Sequence, residues 1–187
     1  RVVTNGMSQY SRNERNANSG IVVGISPADY PGHPLAGIAF QREWESRAYE
    51  LGGGNYNAPG QLVGDFIANR PSTRLGSVEP SYKPGVTLGD LNPSLPKYAI
   101  DAIREALPAF EKQIRGYSMH DAVLTGIETR TSSPIRIKRD DHTLQSLNTK
   151  GLYPAGEGAG YAGGIMSAAI DGIRVAEALA LDMVAQG

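Results

Sequence analysis

No cysteine occurs in the 187 residues, which excludes disulfides, thiolate nucleophiles and cysteine-ligated zinc or iron–sulfur centres. No apolar run approaches the roughly 20 residues needed to cross a bilayer, and no signal peptide is visible. The formal net charge is only −1, too small to gather a polyanion by long-range attraction. These absences point to a cytoplasmic protein with neither membrane nor nucleic acid as partner. Histidine is scarce, with His33, His120 and His142 far apart. His120-Asp121 resembles an HD metal pair but lacks the further ligands that chemistry requires, so no metal is expected. Neither a G-x-S-x-G elbow nor a lysine-bearing phosphate loop is present, which leaves hydrolase and NTPase readings without a nucleophile or phosphate site. An initial methionine is missing too. The sequence opens at Arg1 in the strand-like "RVVTN" and reads as a piece of a longer chain.

What is present suffices for a core: 40% of residues are hydrophobic, in a chain long enough for one domain or two small ones. "RVVTNGMSQYSR" and "NSGIVVGIS" are β-rich runs joined by a turn-prone stretch and predict a hairpin or paired strands. "PADYPGHPLAG" predicts a loop. From Ala39 to Leu51, Phe40, Trp44, Ala48 and Leu51 fall on one helical face, and Gly52-Gly53-Gly54 closes the helix. Residues 55–96 are broken by prolines and predict an irregular wrap, with room for a short strand in "APGQLVGDFIAN". A second helix is predicted from Lys97 to Ile114, kinked or split at Pro108. "DAVLTGIETRTSSPIRIKR" is β-rich, and "GLYPAGE" is a short buried-strand candidate. A last helix is predicted from Gly164 to Val184, with Ile165, Ala169, Ile173, Ala176, Ala180 and Met183 as its apolar stripe.

"GLYPAGEGAGYAGGIMSAA", residues 151–169, holds six glycines, and residues 158–163 spell G-x-G-x-x-G. Three readings compete for it. A complete dinucleotide fingerprint has a strand before it and a helix after it, yet no second strand follows to close a βαβ unit. A packing role would use the small residues to bring the helix close to its strand, but leaves Glu157 between two glycines unaccounted for. The third reading closes the loop over a cofactor held elsewhere. The helix N-terminus offers unpaired N–H groups and partial positive charge, Gly163 and Gly164 admit a planar ring near the Ile165 backbone, and Glu157 accepts from a sugar-alcohol hydroxyl.

The same stretch, extended to "GLYPAGEGAGYAGGIMSAAIDGIRVAEA", resembles the C-terminal flavin motif of two-dinucleotide-binding-domain flavoproteins. With "FQREWESRAYELGGGNYNAPGQLVGDF" and "AVLTGIETRTSSPIRI" in order before it, the chain is similar to the C-terminal part of the uncharacterised bacterial FAD-dependent dehydrogenase family. That resemblance covers nearly every residue from "VVTNGMS" onward. It implies FAD as cofactor, gripped here by Gly156, Glu157, Gly158, Ala162, Gly163, Gly164 and Ile165. The G-x-G-x-x-G for the ADP moiety is implied in an upstream half of the same polypeptide, which becomes the expected partner beside a small-molecule substrate of unknown identity. "ETRTSSP" then lies near the flavin or substrate cavity, where Arg130 would hold an anionic group and Ser132 stands beside it. A strand end with a serine turn and a surface arginine is the alternative.

The fold class is α/β, mixed. Residues 1–125 form a substrate-side domain of strands, two helices and a proline-rich wrap. Residues 126–187 return to supply the last strand, glycine loop and helix of the FAD-binding domain. The function implied is hydride transfer at flavin N5 by an FAD-dependent oxidoreductase, of which the isolated chain would be inactive and hold little or no FAD. No catalytic acid or base stands out; Tyr161 and Arg130 are the residues to probe. Two other classes stay open: a binding or assembly domain without flavin, and a fragment of an RNA-modifying flavoprotein, which the near-neutral charge disfavours.

Overall fold

The computed structural model describes residues 1–186. The architecture is mixed α/β, and two compact units divide it: Arg1–Asp29 with Phe40–Thr129, and Tyr30–Ala39 with Arg130–Gly187. A three-stranded sheet lies in the first unit. Its middle strand β1, Ala58–Leu62, is buried at every position. It pairs parallel with β2, Val86–Leu88, and antiparallel with β3, Val123–Thr125. Gly60 is obligatory here, because a Cβ would stand 2.3 Å from Val86 Cγ1 and 3.1 Å from the Leu124 carbonyl.

β1 runs straight into the short helix α2, Val63–Ile67, which packs beneath α3, Lys97–Gln113. Val63, Phe66, Leu91, Ile100 and Leu107 make the buried cluster between them, with Ile103 and Leu124 at its edge. Gln61 is completely buried and engaged at both ends of its amide: its Nε2 donates to the Arg70 carbonyl at 2.8 Å, and its Oε1 accepts from Leu91 N–H at 2.9 Å. A buried amide so satisfied fixes the loops on either side of the strand. Pro108 does not split α3. It sits on an exposed position, where the carbonyl freed by the missing N–H can turn to water.

Helix α1 spans Ala36–Leu51. In the first unit its Ala48 joins Val2 and Ile127 in a second cluster, against which Trp44 packs. The Trp44 ring meets Phe40 edge-on at 6.0 Å and lies under the Arg47 guanidinium at 4.5 Å. Its Nε1 is buried and has no hydrogen-bond partner among the described residues. One turn apart on this helix, Gln41 Nε2 donates to the Thr129 carbonyl at 2.5 Å and buried Glu45 accepts from the Thr129 hydroxyl at 3.1 Å.

Several expected strands are not formed. Residues 1–26 contain no strand, and neither do "GLYPAGE" or the stretch from Gly126 to Lys138. A β-rich run becomes a strand only when a neighbour pairs its backbone, and the first residues find isolated partners, as in Val2 N–H to Glu45 O and Thr4 N–H to Ile127 O.

In the second unit, α4 runs Ile165–Gln186. The stripe read from its sequence is not what it packs with. Ile165, Ile173 and Met183 are 84%, 69% and 66% exposed, and Ala169, Ala176 and Ala180 are exposed with them. The covered face carries Ala168, Asp171, Gly172, Val175, Ala178 and Asp182. Apolar residues surround this helix nearly all the way round, so periodicity alone picks the wrong arc. A helix of that kind is normally enclosed on several sides.

Candidate functional site

The glycine loop enters at Pro154 and ends where α4 begins, and it is held by turns within itself. Gly160 N–H donates to the Glu157 carbonyl at 2.9 Å and Tyr161 N–H to the Gly156 carbonyl at 3.0 Å. Gly156 and Gly160 have φ of +67° and +83°, the left-handed region that a side chain resists. Gly160 is doubly constrained, since a Cβ there would stand 2.6 Å from the Ile135 carbonyl. Segment 130–139 lies alongside: Ser133 Oγ donates to the Gly158 carbonyl at 3.2 Å, and Ile137 N–H donates to the Ala159 carbonyl at 3.1 Å.

The remaining glycines differ in kind. Nothing lies within 4 Å of a Cβ built on Gly158. On Gly163 it would meet only Ser132 Oγ at 3.5 Å and the Thr131 carbonyl at 3.9 Å, and on Gly164 only Ser167 Oγ at 3.8 Å. Those are ordinary contacts, and none of the three has positive φ. The chain's own packing therefore does not require glycine at 158, 163 or 164. Gly163 and Gly164 leave open backbone at the start of a 22-residue helix, where unpaired N–H groups and the positive dipole end lie, and Gly158 leaves it open earlier in the loop.

Of the site residues expected from sequence, Gly156, Glu157, Gly158, Ala162, Gly163, Gly164 and Ile165 share this loop, and Ser132 approaches Gly163. Glu157 and Ala162 are half-buried; Arg130 is exposed, two residues ahead of Ser132. Tyr161 is engaged structurally. Its hydroxyl accepts from Arg139 N–H at 3.0 Å, and its ring lies 3.7 Å from the Arg139 guanidinium carbon and 4.2 Å from that of Arg136.

Two residues that the sequence reading passed over form the tightest contact here. Arg139 and Asp171 make a bidentate ion pair at 2.5 and 3.0 Å, their side chains only 8% and 13% exposed. Arg139 Nη1 also donates to the Pro154 carbonyl at 2.6 Å, and Asp171 Oδ2 accepts from Gly156 N–H at 2.8 Å. The hydrogen bonds from Arg139, helped by Gly156 N–H, hold the Asp171 carboxyl below the ordinary aspartate range, while those to Asp171 raise the Arg139 guanidinium. A signal was present: Asp171 is the sole charged residue in "IMSAAIDGI", residues 165–173. Arg136, Arg139, Tyr161, Asp171 and Arg174 also line an open cavity of about 450 Å³.

The other sequence landmarks have local roles. The His120 ring fills the space that a side chain on Gly64 would need, and Asp121 accepts from the Ser77 N–H at 2.7 Å. No helix among the described residues is long and apolar enough to cross a membrane.

Residues 1–131 match the family described as FAD-dependent protein, C-terminal domain-like. A Clostridium beijerinckii relative that bears the name "Uncharacterized protein" is 56% identical over 178 residues, which cover 95% of this chain and 33% of the relative. The chain thus spans about a third of that relative's length.

Proposed function

The chain belongs to the family FAD-dependent protein, C-terminal domain-like, and from that premise we propose that its glycine loop and the start of α4 form one wall of the flavin site of an FAD-dependent oxidoreductase. The observation that carries this reading is the open backbone at Gly158, Gly163 and Gly164, where the chain itself has no need of glycine. Glycine without a packing or conformational reason fits close approach by something outside the chain. The cofactor would supply hydride chemistry at its N5 atom toward a small-molecule substrate.

The chain's own contribution is binding and electrostatics. N–H groups at the start of α4 offer hydrogen bonds and partial positive charge to an electron-rich ring edge. Glu157 offers a carboxylate to a hydroxyl, and Arg130 and Ser132 supply polar groups on the flanking segment. The ADP end of the cofactor would be held by an upstream half of the same polypeptide. Support for such a half comes from α4, whose Ile165, Ile173 and Met183 are exposed on an apolar arc. On this reading the isolated chain is colourless and inactive.

The test is Gly164→Val in the full-length protein, with flavin content and flavin-free melting temperature measured on the same variant. Loss of flavin at unchanged apo-protein stability supports the reading. Normal flavin content with a destabilised apo-protein would leave the loop as a packing device.

A further inference from the structure

We propose that Arg139 and Asp171 are positioning residues for the flavin loop: their ion pair sets where the loop sits on α4 and so keeps Gly163 and Gly164 open. This rests on the flavin reading above and extends it to two residues that appear in none of the contacts around the open glycines. The bonds inside the loop, Gly160 N–H to Glu157 O and Tyr161 N–H to Gly156 O, preserve the shape of its turns. They do not fix those turns on the helix. That placement comes from the ion pair. Asp171 lies six residues into α4, roughly 9 Å along its axis from Ile165. From there its Oδ2 holds Gly156 N–H and Arg139 together, and Arg139 passes the hold to the Pro154 carbonyl and, through its own N–H, to the Tyr161 hydroxyl.

Three points of the loop, at 154, 156 and 161, are thereby tied to one carboxylate–guanidinium pair. The planar fork of arginine suits this better than a lysine would, because two nitrogens engage the carboxylate while one of them also reaches the carbonyl. Gly156 takes a left-handed conformation beside Ala168 of the helix, so a shifted loop entry would alter the course of the chain toward Gly163.

The experiment uses the full-length protein, with FAD as the probe, in the variants Asp171→Ala, Asp171→Asn, Arg139→Lys and, as a control, Glu177→Gln. Glu177 lines the same cavity on α4 but makes none of the bonds to the loop. Flavin dissociation constant, the visible spectrum of bound flavin and the melting temperature of the apo-protein are read for each. Asp171→Ala should raise the dissociation constant at least about tenfold and shift the visible band. Asp171→Asn, which keeps an acceptor for Gly156, should recover part of both effects, and Glu177→Gln should match the unaltered protein. If Asp171→Ala fails to fold, Arg139→Lys carries the test: charge kept and fork lost, it should still bind flavin several-fold more weakly with a shifted spectrum. An unchanged dissociation constant and spectrum in the ion-pair variants, with only the melting temperature lowered, would overturn the positioning role. Gly164→Val run alongside separates the two failures. Flavin lost in that variant but not in the ion-pair variants defeats the positioning role alone, whereas flavin retained in both defeats the flavin reading itself.

Discussion

Two alanine substitutions four residues apart should have opposite consequences, and the reason is visible in the space around each glycine. At Gly160 a Cβ would stand 2.6 Å from the Ile135 carbonyl and 3.0 Å from Arg136 Cα, and φ is +83°. Holding alanine in that left-handed conformation costs about 1–2 kcal/mol. Relieving the clash against backbone, which cannot swing aside as a side-chain tip can, adds about 1–3 kcal/mol. Gly160→Ala should therefore destabilise the flavin-free protein by about 2–5 kcal/mol. For a chain of this length that is a fall of roughly 5–20 °C in melting temperature. At Gly164 the nearest atom to a Cβ is Ser167 Oγ at 3.8 Å, so Gly164→Ala meets no obstacle. Its cost is confined to a weaker start of α4, below about 1 kcal/mol. Flavin affinity of the full-length protein should rank differently, with Gly164→Ala impaired although its fold is intact. Thermal melts by far-ultraviolet circular dichroism and flavin titration give the two orders. Equal melting temperatures for the two flavin-free variants would refute the argument from clearance.

Three further outcomes are expected. Glu157→Ala in the full-length protein should weaken flavin retention by roughly 1.5–3 kcal/mol, about tenfold or more in dissociation constant, with the fold unchanged; equal affinity would remove Glu157 from the site. Ile173→Lys should alter the stability of this chain by no more than about 0.5 kcal/mol, since Ile173 is 69% exposed. It should lower the melting temperature of the full-length protein, and unaltered full-length stability would argue against a partner on that arc. Asp171 has its pKa lowered from 3.8 in the folded chain, chiefly by Arg139. Its stabilisation is thus complete well above pH 3.8 and is lost as pH falls through the lower folded value. Urea midpoints measured against pH should show an acid limb that Asp171→Asn flattens, and an identical limb in the variant would contradict the assignment.

The helices were the most legible part of the sequence. Ile100, Ile103 and Leu107 repeat with a helical period, and α3 starts at Lys97 as read. β2 was hidden, because "VTL" sits among prolines and gains its strand character only from pairing with β1. For α4 the extent was readable but the packed face was not, since a nearly all-round apolar pattern does not say which side meets which neighbour. The glycine loop drew attention by its composition and its G-x-G-x-x-G spacing. What these could not do was sort its glycines, because Gly160 answers to the Ile135 carbonyl and Gly164 meets only Ser167 Oγ at ordinary contact distance. Arg139 and Asp171 stand 32 residues apart in the chain, and no local pattern joins them.

Trp44 is the single tryptophan of these 187 residues, and it belongs wholly to the first unit. Its emission is consequently a reporter with one address. With Nε1 shielded from water and a guanidinium stacked on the ring, the folded chain should fluoresce at shorter wavelength than the unfolded one. The second unit, with the glycine loop and α4, contributes no tryptophan signal. Far-ultraviolet ellipticity by contrast counts α4 as its longest helix. Heating the chain while recording both signals therefore compares the loss of the first unit with the loss of all the helices, α4 among them. Midpoints that diverge would show the glycine-loop unit melting on its own schedule, with no label introduced.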